Sequence, residues 1–181
     1  MQQEIIIAGF GGQGVLFVGQ VIAYAALAEG RHVTWIPSYG PEMRGGTANC
    51  TVVVADDEIG SPLVKRPSAA IVLNGPSMDR YAPLVAPGGV LVVDASLIET
   101  RSGRSDIQEF AIPAKDIAAE LGQPRTANVV ALGALIAATG VVQLASVEAV
   151  LAKKFANNPA VLRANRRALH LGAEFTTKVA M

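Results

Sequence analysis

The 181-residue chain holds one cysteine, Cys50, and two histidines, His32 and His170. A single thiol excludes an internal disulfide framework, a multi-cysteine zinc site and an iron–sulfur cluster ligated by this chain alone. The histidines are far apart in sequence, so spacing offers no metal-ligand cluster. Charge is also scarce: 15 Lys and Arg balance 15 Asp and Glu, and charged residues make up 17% of the chain, against roughly 25% in an average soluble domain. The basic excess that nucleic acids and anionic membrane surfaces require is missing. No long apolar run is present either. The best candidate, 127–145, is interrupted by Asn128, Gly133, Thr139, Gly140 and Gln143 and falls short of the roughly 18 residues of a membrane span. It reads as a buried helix. Residues 1–4 carry no basic segment before an apolar one, so a secretory leader is not expected and a cytoplasmic protein is.

What is present is apolar: 51% of the residues are hydrophobic. The length suits one domain with a sizeable core. Glu4 to Ala8 is a β-branched run, Gly9-Phe10-Gly11-Gly12-Gln13-Gly14 follows, and Val15 to Ala28 is Ala-rich with Gly30 as a stop, which spells strand, glycine turn, helix. A second strand over His32–Pro37 completes a βαβ unit. Thr47 to Ala55 alternates, with Ala48, Cys50, Val52 and Val54 on one face. With only a loop before it, this strand is expected antiparallel to its neighbour. Ala69 to Leu73 and Val90 to Asp94 are continuous apolar runs, as expected when helices cover both faces; a short helix starts near Ser77. Gln108 to Ile112 reads as an edge strand, and a helix opens at Pro113 and ends near Gly122. The rest is helical: a stretch over Ala127–Thr139, a helix capped by Ser146, and one opened by Asn158-Pro159 with Val161, Ala164, Ala168, Leu171 and Phe175 inward. The expectation is an α/β, Rossmann-like three-layer domain with a mixed, mostly parallel sheet. One domain spans 1–181, with an α/β core over 1–122 and a helical C-terminal part over 123–181.

The glycine motif has a mechanical logic. Gly9 permits a sharp turn after the strand, Gly11 lets backbone approach a ligand, and Gly14 lets the helix pack on the sheet with its free N–H groups toward an anion. A nicotinamide site also needs an acidic residue near the end of the second strand, and that position reads Trp35-Ile36-Pro37-Ser38-Tyr39. A dinucleotide reading would then fall back on Arg31 or Arg44 and a 2′-phosphate. A plain tight turn and a site for another phosphate-bearing ligand both remain. The segment Tyr39-Gly40-Pro41-Glu42-Met43-Arg44-Gly45-Gly46-Thr47 would lie where open α/β sheets place their ligand crevice. Arg44 suits a carboxylate or phosphate, Gly45 and Gly46 allow a backbone anion nest, and Glu42 could anchor Arg44; a rigid connection with an internal Glu–Arg pair is the alternative. No nucleophile–base pair is legible among Ser38, Ser61, Ser77 and Ser96. His32, His170 and Cys50 read as structural.

The two segments together, Gly9 to Val15 and Pro37 to Cys50, closely resemble the γ subunit of 2-oxoacid:ferredoxin oxidoreductases, most of all the 2-oxoglutarate and branched-chain (2-ketoisovalerate) types. Ile59-Gly60-Ser61-Pro62 and Asn74-Gly75-Pro76-Ser77 also fit. The resemblance implies a multisubunit enzyme that oxidatively decarboxylates a 2-oxoacid to acyl-CoA and CO2 and reduces ferredoxin. It implies α, β and ferredoxin-like δ subunits as partners, and no cofactor bound by this chain alone. The complex is expected to use thiamine diphosphate with Mg, iron–sulfur clusters and coenzyme A. Gly9, Phe10, Gly11, Gly12, Gln13 and Gly14, with Ser38, Tyr39, Glu42, Arg44, Gly45, Gly46 and Thr47, are carried over as ligand-facing elements, and no residue as catalytic. The charge deficit acquires a meaning here, because permanent interfaces are depleted in charge and resemble a core cut in half.

Overall fold

The β-branched run Ile5-Ile6-Ile7 forms the centre of strand β1 (Gln2–Phe10), with side chains at most 5% exposed. The computed structural model describes residues 1–38 and 47–179. After β1 come α1 (Val15–Ala28), β2 (His32–Ser38), β3 (Thr47–Ala55), β4 (Ala69–Val72), α2 (Gly75–Tyr81), β5 (Val90–Asp94) and β6 (Gln108–Ile112). Four further helices close the chain: α3 (Ala114–Glu120), α4 (Ala127–Thr139), α5 (Leu144–Lys154) and α6 (Pro159–Val179).

The strands form one sheet in the order β2-β3-β1-β4-β5-β6. β1, β4, β5 and β6 pair in parallel, whereas β3 is antiparallel to both β1 and β2. The expected antiparallel return is therefore present. It takes the place beside β1, so β2 runs parallel to β1 without touching it. The βαβ unit of the sequence reading is opened by an inserted strand.

Helices cover the two faces unequally. Ile5, Ile7, Cys50, Val52, Val54, Ile71, Val92 and Ile112 point to the face packed by α1, α4, α5 and α6. Ile6, Ala8, Val72, Leu91 and Val93 point to the other face, which carries α2, a short turn over Ala82–Leu84, and Ile98. β4 and β5, buried along their whole lengths, bear out the reading of continuous apolar runs. Cys50 is fully buried, its Sγ 3.5 Å from the Val15 carbonyl. Burial pushes this thiol up to about 12, so it is a protonated core filler at physiological pH.

Two local expectations need correcting. Helix α5 starts at Leu144 with Gln143 at its N-cap, not at Ser146. Helix α6 does open on Asn158, whose Oδ1 accepts the Val161 N–H at 3.2 Å. Its buried stripe, however, is Asn165, Ala168, Leu169, Gly172 and Thr176, offset from the apolar stripe of the sequence reading. The reason is close helix packing. A Cβ on Gly172 would run into the Val130 carbonyl of α4, and a Cβ on Gly133 of α4 would run into the Leu169 carbonyl of α6. The helices meet backbone to backbone, with Thr176 Oγ1 donating to the Ala134 carbonyl at 3.3 Å. Small residues, not large apolar ones, define that contact.

Candidate functional site

The glycine turn leaves the C-terminal end of β1, at the edge of the sheet where open α/β folds place ligands. Gly14 is the N-cap of α1 at φ 75° and ψ 26°, with no side-chain cap on the helix and no acidic residue in its first turn. The first-turn N–H groups of α1 are therefore free for an anion. Gln13 braces the turn: its Oε1 accepts the Phe10 N–H at 2.6 Å, and its Nε2 donates to the Leu73 carbonyl at 3.0 Å. Its amide is thus spent on holding β1 to β4. Gly9 is buried, whereas Phe10, Gly11 and Gly12 are exposed.

Thr47 lies opposite Phe10, and Ser38 opposite Asn49. Both are exposed, so the end of β2 and the start of β3 lie at the same edge of the sheet as the glycine turn. Tyr39, Glu42, Arg44, Gly45 and Gly46 lie outside the described residues.

A cavity of about 910 Å³ opens beside the turn, walled by Gly12, Gln13 and Gly14 on one side and by Asp94, Lys115, Arg125 and Asn128 on the other. Ser38 and Thr47 are not in its wall. Three of its walls are sheet ends and helix starts: the end of β1 with the start of α1, the end of β5 with the start of α3, and the turn over Pro124–Thr126 that enters α4. Asn128 ties the walls together. Its Nδ2 donates to the Gly14 carbonyl at 3.3 Å, which orients the carboxamide and leaves Oδ1 buried without a partner.

Asp94 is 2% exposed. Its Oδ1 accepts N–H groups from Ser96 and Ala114, both at 3.1 Å, and from Lys115 at 3.4 Å. It thereby fixes the start of α3 against β5. Burial nevertheless holds its carboxyl above the ordinary 3.8, with those hydrogen bonds opposing. A raised native value means that the folded state binds this proton more tightly than the unfolded chain. Its contribution is therefore most favourable at acid pH and is lost as pH rises from about 4 through the native value. Asp94→Asn keeps an acceptor for α3 and removes the titration. Urea midpoints of the variant should fall less from about pH 4 to about pH 7 than those of the parent; parallel curves would overturn the assignment.

The sequence reading found the glycine turn and missed the opposite wall. Lys115, Arg125 and Asn128 are single polar residues about a hundred positions from the turn. One signal was available: Arg125 is the only charge between Glu120 and Glu148, and Asn128 follows it into an apolar helix.

Among the described residues no group of three or more His, Cys, Asp or Glu side chains could hold a metal ion. No described helix is long and apolar enough to cross a membrane. What the fold and cavity define is a Rossmann-like domain whose glycine turn and helix N-termini face a pocket sized for a small-molecule ligand. The chain belongs to the pyruvate ferredoxin/flavodoxin oxidoreductase family, whose sequence pattern matches residues 4–175. It is 42% identical over 174 residues to the ketoisovalerate oxidoreductase subunit VorA of Methanothermobacter thermautotrophicus, covering 95% of this chain and 36% of that one. The chain thus spans little more than a third of the length of that relative. The keto/oxoacid ferredoxin oxidoreductase gamma subunit of Geobacter sulfurreducens superposes with a TM-score of 0.84 at 31% identity, over 97% of this chain and 99% of that one. The 2-oxoglutarate:ferredoxin oxidoreductase of Magnetococcus marinus, solved with 2-oxoglutarate, coenzyme A and succinyl-CoA bound, gives a TM-score of 0.90 at 25% identity, over 98% of this chain and 31% of that one.

Proposed function

We propose that this chain is the γ component of a cytoplasmic 2-oxoacid:ferredoxin oxidoreductase of the 2-oxoglutarate or branched-chain type, acting with α, β and ferredoxin-like δ components. The overall reaction would convert a 2-oxoacid, coenzyme A and two oxidised ferredoxins to acyl-CoA, CO2, a proton and two reduced ferredoxins. The observation that carries this reading is 42% identity over 95% of the chain to a ketoisovalerate oxidoreductase subunit.

The division of labour follows from this chain's own residues. An iron–sulfur cluster takes several thiolates, and the sole cysteine is a buried thiol, so cluster ligation does not fit this chain. Thiamine diphosphate with Mg, held elsewhere in the assembly, would supply the decarboxylation chemistry. The part left to this chain is coenzyme A: the free N–H groups of α1 would meet the ligand's phosphates, and Arg44 would pair with an anionic group of the bound reactants.

Arg44→Ala in the assembled complex tests this. The KM for coenzyme A is expected to rise about tenfold, the loss of one charge-assisted hydrogen bond. Unchanged KM and unchanged turnover would remove the role given to this segment, and tight stoichiometric NADH or NADPH binding by the chain would favour a nucleotide-dependent dehydrogenase instead.

A further inference from the structure

The zero net charge of this chain hides an uneven distribution. Residues 123–181 hold seven of the fifteen Lys and Arg but only two of the fifteen Asp and Glu, Glu148 and Glu174. Six of those cations lie on α5 and α6: Lys153, Lys154, Arg163, Arg166, Arg167 and Lys178. All six are exposed, and none is in the wall of the cavity. Helix periodicity sets Arg163, Arg167 and Lys178 on the side of α6 opposite its buried stripe of Ala168, Gly172 and Thr176, so they point away from α4. Little on this surface neutralises them. Arg166 is 3.9 Å from Glu148 and Arg167 is 3.7 Å from Glu174, loose exposed pairs of small worth, and Glu148 lies closer to His170, at 2.6 Å. Lys153, Arg163 and Lys178 have no carboxylate partner among the described residues. Cations in the last turns of α5 and α6 complement the helix dipoles. Arg163, Arg166 and Arg167, in the first half of α6, have no such reason to be there.

The contrary kind of surface lies on α1. That helix carries no charged residue, yet Tyr24 and Leu27 are 58% and 54% exposed. A permanent interface is depleted in charge and takes surface of that kind, whereas a partner that comes and goes is drawn in by complementary charge, which speeds encounter. An assembly thus has reason to cover α1 and none to cover the outer side of α6.

We propose that the outer face of α6, with the end of α5, is a docking surface for the protein that carries electrons away, an acidic ferredoxin. The inference rests on reading the chain as a component of a ferredoxin-reducing complex, in which ferredoxin is the one protein that binds and leaves in every cycle. The sole cysteine is buried, so this face supplies attraction and orientation only. One electron passes directly from a reduced cluster of a neighbouring component to each oxidised ferredoxin held here.

The test compares the parent complex with an Arg163→Glu, Arg167→Glu, Lys178→Glu variant and a charge-conserving Arg163→Lys, Arg167→Lys, Lys178→Arg variant, each assembled with its other components. At low salt, where the screening length exceeds about 10 Å, the reversed variant should bind an acidic ferredoxin about tenfold more weakly in titration calorimetry, and its kcat/KM for that ferredoxin should fall about as far. The charge-conserving variant should keep the parental values, and the gap should close near about 0.5 M salt. Turnover with methyl viologen, a small dye that needs no docking face, should not change, nor should the KM values for the 2-oxoacid and coenzyme A. Parental ferredoxin binding by the reversed variant, or an equal loss with the dye, would overturn the docking surface. So would failure of the reversed chain to co-purify with the other components, which would make this face a permanent interface. A parent complex that reduces ferredoxin and is indifferent to the reversal removes this surface alone. A parent that reduces neither acceptor from a 2-oxoacid and coenzyme A removes the proposed function with it.

Discussion

Gly172→Ala is expected to destabilise the protein by about 3 kcal/mol, the upper part of the usual range for forcing an extra carbon into a packed interior. Helix propensity predicts the opposite sign, because Ala is favoured over Gly inside a helix by about 1 kcal/mol. Geometry decides between them. The new Cβ would meet the carbonyl oxygen of Val130, backbone of a helix buried from Asn128 to Ile136, so no side chain can rotate away to make room. α4 is pinned on its other side by the sheet and α1, and the strain is relieved only by parting α4 from α6 and breaking the bond from Thr176 to the Ala134 carbonyl. In a domain of this size the loss corresponds to about 6–12 °C in Tm. Gly133→Ala should cost a similar amount because its Cβ meets the Leu169 carbonyl across the same crossing. The double variant should cost less than the sum, since helices already parted by one methyl have room for the second; a coupling of about 1 kcal/mol is expected in a double-mutant cycle by urea unfolding. Strict additivity, or stabilisation by either substitution, would show that the two helices are not in backbone contact.

That crossing also shows what the sequence could and could not convey. The boundaries of α1, β3, β5, β6 and α4 were legible because they are set locally, by glycine, by proline and by β-branched alternation. The antiparallel direction of β3 was legible because the link before it is too short for a crossover. Its position between β1 and β2 was not, since link length fixes direction and leaves the choice of neighbour open. The buried face of α6 was misread for a chemical reason. Gly172, Thr176 and Asn165 are buried by close backbone approach and by hydrogen bonds, such as that from Asn165 Nδ2 to the Val161 carbonyl at 2.9 Å, and hydropathy gives such residues no inward weight. The same limit applies to the candidate site. A contiguous glycine turn announces itself, whereas Asp94, Lys115, Arg125 and Asn128 meet it only because β5, α3 and α4 all begin or end at one edge of the sheet.

Gly14→Ala is the substitution expected to damage both stability and ligand binding. Gly14 holds φ 75° as the residue that starts α1, and an L side chain there costs about 1–2 kcal/mol before any contact is considered. The Cβ would also collide with Asn128 Nδ2, the group that anchors the Gly14 carbonyl. Displacing Asn128 breaks that bond and leaves its buried carboxamide without any partner, for a further loss of about 1–3 kcal/mol. Urea unfolding should therefore show about 2–5 kcal/mol less stability. Because the first-turn N–H groups of α1 depend on this residue for their direction, the KM of the assembled complex for coenzyme A should rise about tenfold or more. The two parts of the stability loss separate in the Gly14→Ala, Asn128→Ala double variant. Removing the Asn128 side chain gives the new Cβ space, so the double variant should be more stable than the sum of the single effects predicts, while the backbone cost at φ 75° persists. The KM should not recover, because the carbonyl anchor is gone in either background. A double variant that restored the KM to its parental value would mean that the collision alone had blocked the ligand. The turn's backbone would then need no clamp from α4.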